Sequence, residues 1–237
     1  MRDQLFYAGK SLDDFGAAIL RQQVDMVPAR GYTDIVVPGR HGKLLQDEER
    51  LDNVILTYWV LIVGKAWERY CGLKEWLLSK PGYQRIEDTF DPDHYRLGVY
   101  RGSSEPVFDR KRALCKFTLE LDCLPQRWFK GAEELETVTS GQKLVNPYLT
   151  QAKPLIRVTG IGTITVAGSA VEVLSQPAAG YIDIDCEQED ACAGSVNCNS
   201  RISLPSTHLF PELGPGENLV TYSGLTSVKI APRWWTV

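Results

Sequence analysis

The sequence predicts a mainly β protein with one principal helix, an α+β chain in two domains. Residues 1–148 read as a β-sandwich carrying a hairpin and the helix, and residues 149–237 as a second β-sandwich. Three observations carry this. Residues 112–123 alternate with a period of two. Ala113, Cys115, Phe117, Leu119, Leu121 and Cys123 face one way, and Arg112, Lys116, Thr118, Glu120 and Asp122 the other, with Leu114 the exception, as in a strand buried on one face. Trp67, Tyr70, Leu73 and Leu77 recur at three- and four-residue steps, the stripe of an amphipathic helix. After Pro154 short apolar runs follow one another at close spacing between turn residues, the pattern of an all-β sandwich.

In chain order, residues 1–26 are mixed, with a short turn near residues 11–15. Residues 31–45 read as strand, tight turn, strand. Ile35, Val36 and Val37 run into Pro38-Gly39-Arg40-His41-Gly42 and on to Leu44 and Leu45. Proline presets φ and the glycines supply left-handed positions. Gly42-Lys43 leads into leucines, so the turn is no phosphate-binding loop of Walker type. A structural hairpin and an anion-binding turn through Arg40 are the two readings. Residues 46–52 form a polar, charged connection.

The run Val54–Val63 is apolar on both faces: Val54, Leu56, Tyr58, Val60 and Ile62 on one, Ile55, Trp59, Leu61 and Val63 on the other. A strand covered on one side alternates. This one is either central in a sandwich or meets another subunit, and left bare it is an aggregation hazard.

The helix follows, interrupted by Gly72 at a cost of about 1 kcal/mol and stopped by Lys80-Pro81-Gly82. Residues 83–90 and 94–100 read as strands joined by Asp91-Pro92-Asp93. Residues 131–153 are polar and hold the expected domain boundary. The strands expected beyond it are 155–159, 163–166, 171–174, 181–186, 201–204, 218–222 and 227–230.

The 237 residues suffice for one large domain or two small ones. The net charge of −4 argues against nonspecific nucleic-acid binding. The N-terminus lacks a signal-type apolar run, and Val54–Val63 falls far short of the roughly 20 residues of a membrane helix. The expectation is a soluble protein made in a cytoplasm, without membrane insertion, its six cysteines remaining thiols.

Candidate chemistry is sparse. His41, His94 and His208 lie in separate segments, with no paired spacing for a metal and no G-x-S-x-G elbow. Cys186, Cys192 and Cys198 are spaced at six, unlike zinc pairs. Asp183, Asp185 and Glu187 alternate on one strand face. They admit a calcium or glycosidase reading, but a solvated or partner-facing surface fits better. Of Trp234 and Trp235, one enters the sandwich and the other faces out, where it is able to stack on a sugar or a protein. No catalytic, metal or cofactor site is expected.

Taken together and in order, several segments resemble the distal tail protein (Dit) family of long-tailed bacteriophages. They are Ile35-Val-Val-Pro-Gly-Arg-His-Gly42, Trp76-Leu77 before Gly82-Tyr83, the strand 117–123 before Pro125, Tyr181-Ile-Asp-Ile-Asp-Cys-Glu187, Asn197-Cys-Asn199, Phe210-Pro211, Gly214-Pro-Gly-Glu-Asn218 and Pro232-Arg-Trp-Trp235. Residues 102–112 and 131–146 carry least of the pattern. The resemblance implies a non-enzymatic virion protein at the distal end of the tail. It implies a homo-hexameric ring built by the N-terminal domain, with a galectin-like C-terminal sandwich at the periphery. The implied partners are the tail tube protein, the tail-associated tip protein and, in some phages, receptor-binding proteins, with DNA passing through the lumen unbound.

The residues expected at the ring interface are Arg40, Val54, Leu56, Tyr58, Trp59 and Leu61. Those expected at a partner or sugar contact are Asp183, Asp185, Trp234 and Trp235. The rival reading is a carbohydrate-binding module for cell-wall attachment.

Overall fold

The computed structural model describes residues 3–23, 27–102, 104–205 and 209–237. His208, and Met26 at the end of the first expected segment, lie outside them. The chain divides at Arg127/Trp128 into two compact units, earlier than the boundary expected at 148/149. The reason is packing. Ala132 and Val138 are buried in the core of the second unit, and two short strands of this polar stretch pair with that unit's longest strand.

In the first unit, β1 (Leu5–Tyr7), β2 (Lys10–Ser11) and β3 (Ala17–Gln22) flank a 3-10 turn, Leu12–Phe15. Ser11 and Asp14 cap that turn reciprocally. β4 (Arg30–Ile35) and β5 (Leu44–Leu51) form a two-stranded sheet of their own. Then come β6 (Val54–Val63), α1 (Ala66–Leu78), β7 (Gln84–Asp88), β8 (His94–Tyr100), β9 (Val107–Phe108) and β10 (Leu114–Cys123). The main sheet runs β2-β1-β7-β8-β10-β6-β3, antiparallel throughout.

The period-two strand behaves as its pattern demands. Cys115, Phe117, Leu119, Leu121 and Cys123 are buried, while Lys116 and Glu120 face water. Ala113 is the exception at its start and is exposed. Register carries the burial across, since Cys115 lies opposite Ile62, Phe117 opposite Val60 and Leu119 opposite Tyr58.

Helix α1 seals this layer with Ala66, Tyr70, Leu73, Trp76 and Leu77. Trp67, expected in the stripe, is 45% exposed. A stripe at steps of four, three and four starts equally well at Ala66. Trp76 settles the rotation, stacking on Phe15 at 5.1 Å and meeting Tyr7 edge-on at 5.5 Å. Truncating the fully buried Leu73 to Ala removes about 3 kcal/mol by the usual cavity cost. Ser79 ends the helix, its Oγ donating to Trp76 O at 2.7 Å, before Pro81.

β11 (Arg127–Phe129) crosses the division. The second unit then holds β12 (Glu136–Thr137), β13 (Lys143–Asn146), β14 (Leu155–Val166), β15 (Ser169–Val173), β16 (Ile182–Asp185), β17 (Asp190–Ala193), β18 (Val196–Asn197), β19 (Ile202–Ser203), β20 (Gly216–Ala231) and β21 (Trp235–Thr236). The order β12-β20-β14-β16-β17-β18 forms its sheet, with β15 on the second half of β14 and β19 on β15.

Four expected strands are two here: 155–159 and 163–166 are halves of β14, and 218–222 and 227–230 halves of β20. The register shifts at Gly160 and again before Thr163, so the pair bends without breaking. The bend needs glycine. A Cβ on Gly162 would lie 2.1 Å from Ser223 O, and one on Gly224 2.7 Å from Ile161 O. The bend lets the first half of β14 serve β16 and the second half β15.

Candidate functional site

Strand β6 resolves the doubly apolar run. Val54, Leu56, Tyr58, Val60 and Ile62 are interior, while Ile55 and Val63 are exposed and Trp59 and Leu61 half-buried. Three residues expected at a ring interface, Val54, Leu56 and Tyr58, are therefore core and have no surface to offer a neighbour. Tyr58 is fully buried, and its hydroxyl donates to Asp88 Oδ2 at 2.5 Å. Gln22 Nε2 donates to both, at 3.3 Å and 3.0 Å. Burial first, then the Asp88 charge, raises the Tyr58 pKa well above the ordinary phenol value.

Asp88, Asp91 and His94 also line a cavity of about 230 Å³. Its other lining residues are Gln22, Leu56, Ile86, Phe90, Tyr95 and Arg96, so among the described residues no serine or cysteine faces it.

The other face of β6 is only partly covered, with Thr57 buried and Ile55 and Val63 exposed on it. Trp59 lies between Arg21 and Thr118, and Leu61 between Ala18 and Lys116. The Arg21 guanidinium sits 5.1 Å from the Trp59 ring centroid, a cation–π pair. Arg21 was not legible as a site residue, because a β-bulge after Ile19 brings it opposite Trp59.

The hairpin is exposed on both faces. Ile35 lies opposite Leu44 and Asp34 opposite Leu45. Residues 46–52, expected as a connection, continue into β5 up to Leu51. With water on both faces that strand has no apolar alternation to read. Its order comes from cross-strand polar pairs, Arg30 with Asp47 and Thr33 Oγ1 with Glu48 Oε1 at 2.7 Å. Val36 is 73% and Leu45 64% exposed. Arg40 stands at the tip, where its N–H closes a turn on Val37 O at 3.2 Å.

In the second unit the expected contact residues are already engaged. Asp183 accepts two bonds from Arg157, at 2.6 and 2.7 Å, and the same guanidinium lies 4.4 Å from the Tyr181 ring centroid. Asp185 is held the same way by Arg233, at 2.8 and 3.0 Å, and accepts the Glu187 and Gln188 N–H groups. Burial works against ionisation of Asp185, but the Arg233 bonds and charge outweigh it, and its carboxyl titrates below its ordinary range.

Trp234 is buried in the core. Trp235 is half-buried, its indole N–H donating to Gln151 O at 2.8 Å, with Trp128 6.3 Å away. The expected outward Trp is thus no open platform, because the C-terminal segment folds back on 128–132. Phe129 N donates to Trp234 O, and Arg233 N to Ala132 O, each at 2.9 Å.

All six cysteines are free. Burial pushes the Cys115 thiol up to about 11 and Cys123 and Cys186 to about 12. Among the described residues no group of three or more His, Cys, Asp or Glu is placed to hold a metal, and no helix is long and apolar enough to cross a membrane.

Two antiparallel β units, one helix on the first and a two-stranded hairpin sheet make up a fold that solved phage tail proteins share. The particular likeness is to the SPP1 Dit protein, whose crystal structure is described as a paradigm of the hub adsorption apparatus in phages infecting Gram-positive hosts. The chain matches it at a TM-score of 0.80 with 15% identity, covering 100% of both chains. It is also similar to a chain of the phage P2 baseplate in its activated conformation with Ca, at TM-score 0.54, 8% identity and 97% coverage of each chain. In the corresponding baseplate with Sr the values are 0.53 and 7%, covering 97% and 96%. At these identities the likeness is one of fold. No protein-family model matches the sequence, and no curated protein does.

Proposed function

We propose that this chain is a distal tail hub of a phage: a virion structural protein that closes as a homo-hexameric ring between the tail tube and the tail-tip protein. Receptor-binding proteins dock on it where the phage carries them, and DNA passes through its lumen. The observation that carries the reading is the full-length fold match to SPP1 Dit. The hairpin supports it, since six large apolar side chains held in water along its strands and turn call for a cover from outside the chain.

The seam of the ring runs over Arg40 and the hairpin and over the partly covered face of β6, at Trp59 and Leu61. Identical chains joined by rotation present two different surfaces to each other. The second unit is the galectin-like peripheral domain of this reading. Charge divides accordingly. The first 127 residues carry as many Lys and Arg as Asp and Glu, so the whole net charge of −4 falls in the second unit. A ring wall made of first units is electrically neutral on balance and has no net attraction for passing DNA. The sugar-binding alternative loses ground, because Asp183, Asp185 and both tryptophans are occupied within the chain.

The test is the native mass of the purified protein over a concentration series, with images of the largest species. A ring of six 26.6 kDa chains with an open centre is expected, and Trp59→Asp is expected to reduce it to smaller species. A variant as oligomeric as its parent removes Trp59 from the seam.

A further inference from the structure

One patch of the first unit is unused by this reading. It is the tip of the hairpin that β9 and β10 form. Asp109 N donates to Leu114 O at 3.1 Å, and Arg112 N to Asp109 O at 3.0 Å. The Asp109 carboxylate accepts the Ala113 and Leu114 N–H groups at 2.7 and 2.9 Å. The acid of the turn is thus spent on the backbone, while Arg110, Lys111 and Arg112 are all exposed.

Two more cations join them. Gly64 N donates to Ala113 O at 2.6 Å, which sets Lys65 beside the turn. Lys116 lies opposite Val107 in the hairpin stem. Both are exposed. Arg112 lies 4.4 Å from the centroid of the Trp67 ring, a cation–π pair that fixes where its charge stands. Among the described residues Lys65, Arg110, Lys111, Arg112 and Lys116 make no salt bridge. Glu68 and Glu105 are the other exposed carboxylates of these segments, so cations outnumber acids here.

Local stability does not account for this arrangement. Like charges this close repel one another, and Lys65 stands at the start of α1, where the helix dipole disfavours a cation. The β4–β5 hairpin of another copy is a poor complement. Its Asp34 is paired with Lys43, its Asp47 with Arg30, and its Glu48 and Asp52 with Arg50. A phosphate backbone supplies what is missing, a row of charges that a row of cations meets without a fitted shape. The neutrality of the first unit is an average and does not hold at this tip.

We propose that the tip of the β9–β10 hairpin, with Lys65 and Lys116, binds the phosphate backbone of duplex DNA without regard to sequence. The choice of DNA as the polyanion rests on the hub reading, in which the chain meets DNA. Few phosphates are neutralised, so the contact is weak and salt-dependent and lets DNA move on.

The experiment follows the fluorescence anisotropy of a labelled mixed-sequence duplex with the full-length chain, from about 50 to 200 mM salt. The slope of log K against log salt is expected near about −4, since each neutralised phosphate contributes about −0.9. Arg110→Glu with Lys111→Glu is expected to make the slope shallower by about 2 and to cut affinity by about tenfold or more. Lys10→Glu with Lys74→Glu changes the net charge equally at exposed positions elsewhere in the first unit, and is expected to leave the slope within about 0.5 of the parent. Thermal unfolding of each variant serves as the folding control.

No binding at the lowest salt, or equal losses in the two double variants, overturns the contact. Equal affinity for polyglutamate of the same charge overturns it in favour of an acidic protein partner. The native mass of the same parent sample separates this from the hub reading. A ring that ignores DNA overturns the contact alone. A monomer that binds DNA with the expected slopes supports the contact and removes the ring.

Discussion

Two pairs of antiparallel strands in this molecule solve the same backbone problem in opposite ways. β14 and β20 bury Ile156, Val158, Ile164 and Val166 completely on one face. β4 and β5 leave both faces to water, with Tyr32, Ile35, Leu44 and Leu45 all more than a third exposed. The first pair is stabilised by its own chain. An isolated two-stranded hairpin is marginal in water, so the second needs a cover that its own unit does not supply. The difference separates positions that hold the fold from positions that serve assembly in the proposed ring.

Three pairs of substitutions sharpen that contrast. Ile156→Ala opens a cavity in a fully buried site and is expected to cost about 4 kcal/mol in denaturant unfolding. Leu45→Ala, 64% exposed, is expected to move the same midpoint by less than about 0.5 kcal/mol while weakening assembly. Equal effects would erase the distinction.

Gly162→Ala places a Cβ against the Ser223 carbonyl and is expected to cost about 3 kcal/mol through forced backbone movement. Gly42→Ala, at φ +78 with nothing within 4 Å of the new carbon, strains only the hairpin tip and should leave the main transition in place. A Gly162 variant as stable as the parent would mean the bend tolerates a side chain.

Asp185→Asn leaves the Arg233 guanidinium half-enclosed without its charge partner, at a cost of about 2 kcal/mol. The Asp185 carboxyl titrates below its unfolded value. Its stabilisation is complete above the ordinary carboxylate pKa of about 4 and is lost as pH falls through the lowered folded value. The parent should lose stability relative to Asp185→Asn in that acid window and nowhere else, as pH-dependent thermal unfolding would reveal. Asp47→Asn breaks the exposed pair with Arg30 and should leave the main unfolding unchanged.

How much was legible follows the same line. Strand β10 is read correctly because one face is dry and the other wet, which alternation records directly. The turn Asp91-Pro92-Asp93 and the helix stop at Pro81-Gly82 are local chemistry and hold. β5 is missed, because two wet faces leave no contrast among Gln46, Asp47, Glu48 and Glu49. Strands β14 and β20 are each split in two by glycines that mark a bend inside a strand.

The sequence alone determined the mainly β class, the single principal helix, the absence of paired histidines or a zinc-type cysteine spacing, and the two-part texture of the chain. These depend on periodicity and local turn chemistry, which neighbouring residues encode. Only the tertiary structure decided that Tyr58 points inward and Trp59 outward, that Ala66 and not Trp67 starts the buried stripe, and that Asp185 and Trp235 are engaged within the chain. A doubly apolar strand states that both faces avoid water. Which face meets its own core depends on strands and helices distant in sequence, and their positions are settled only when the whole unit packs.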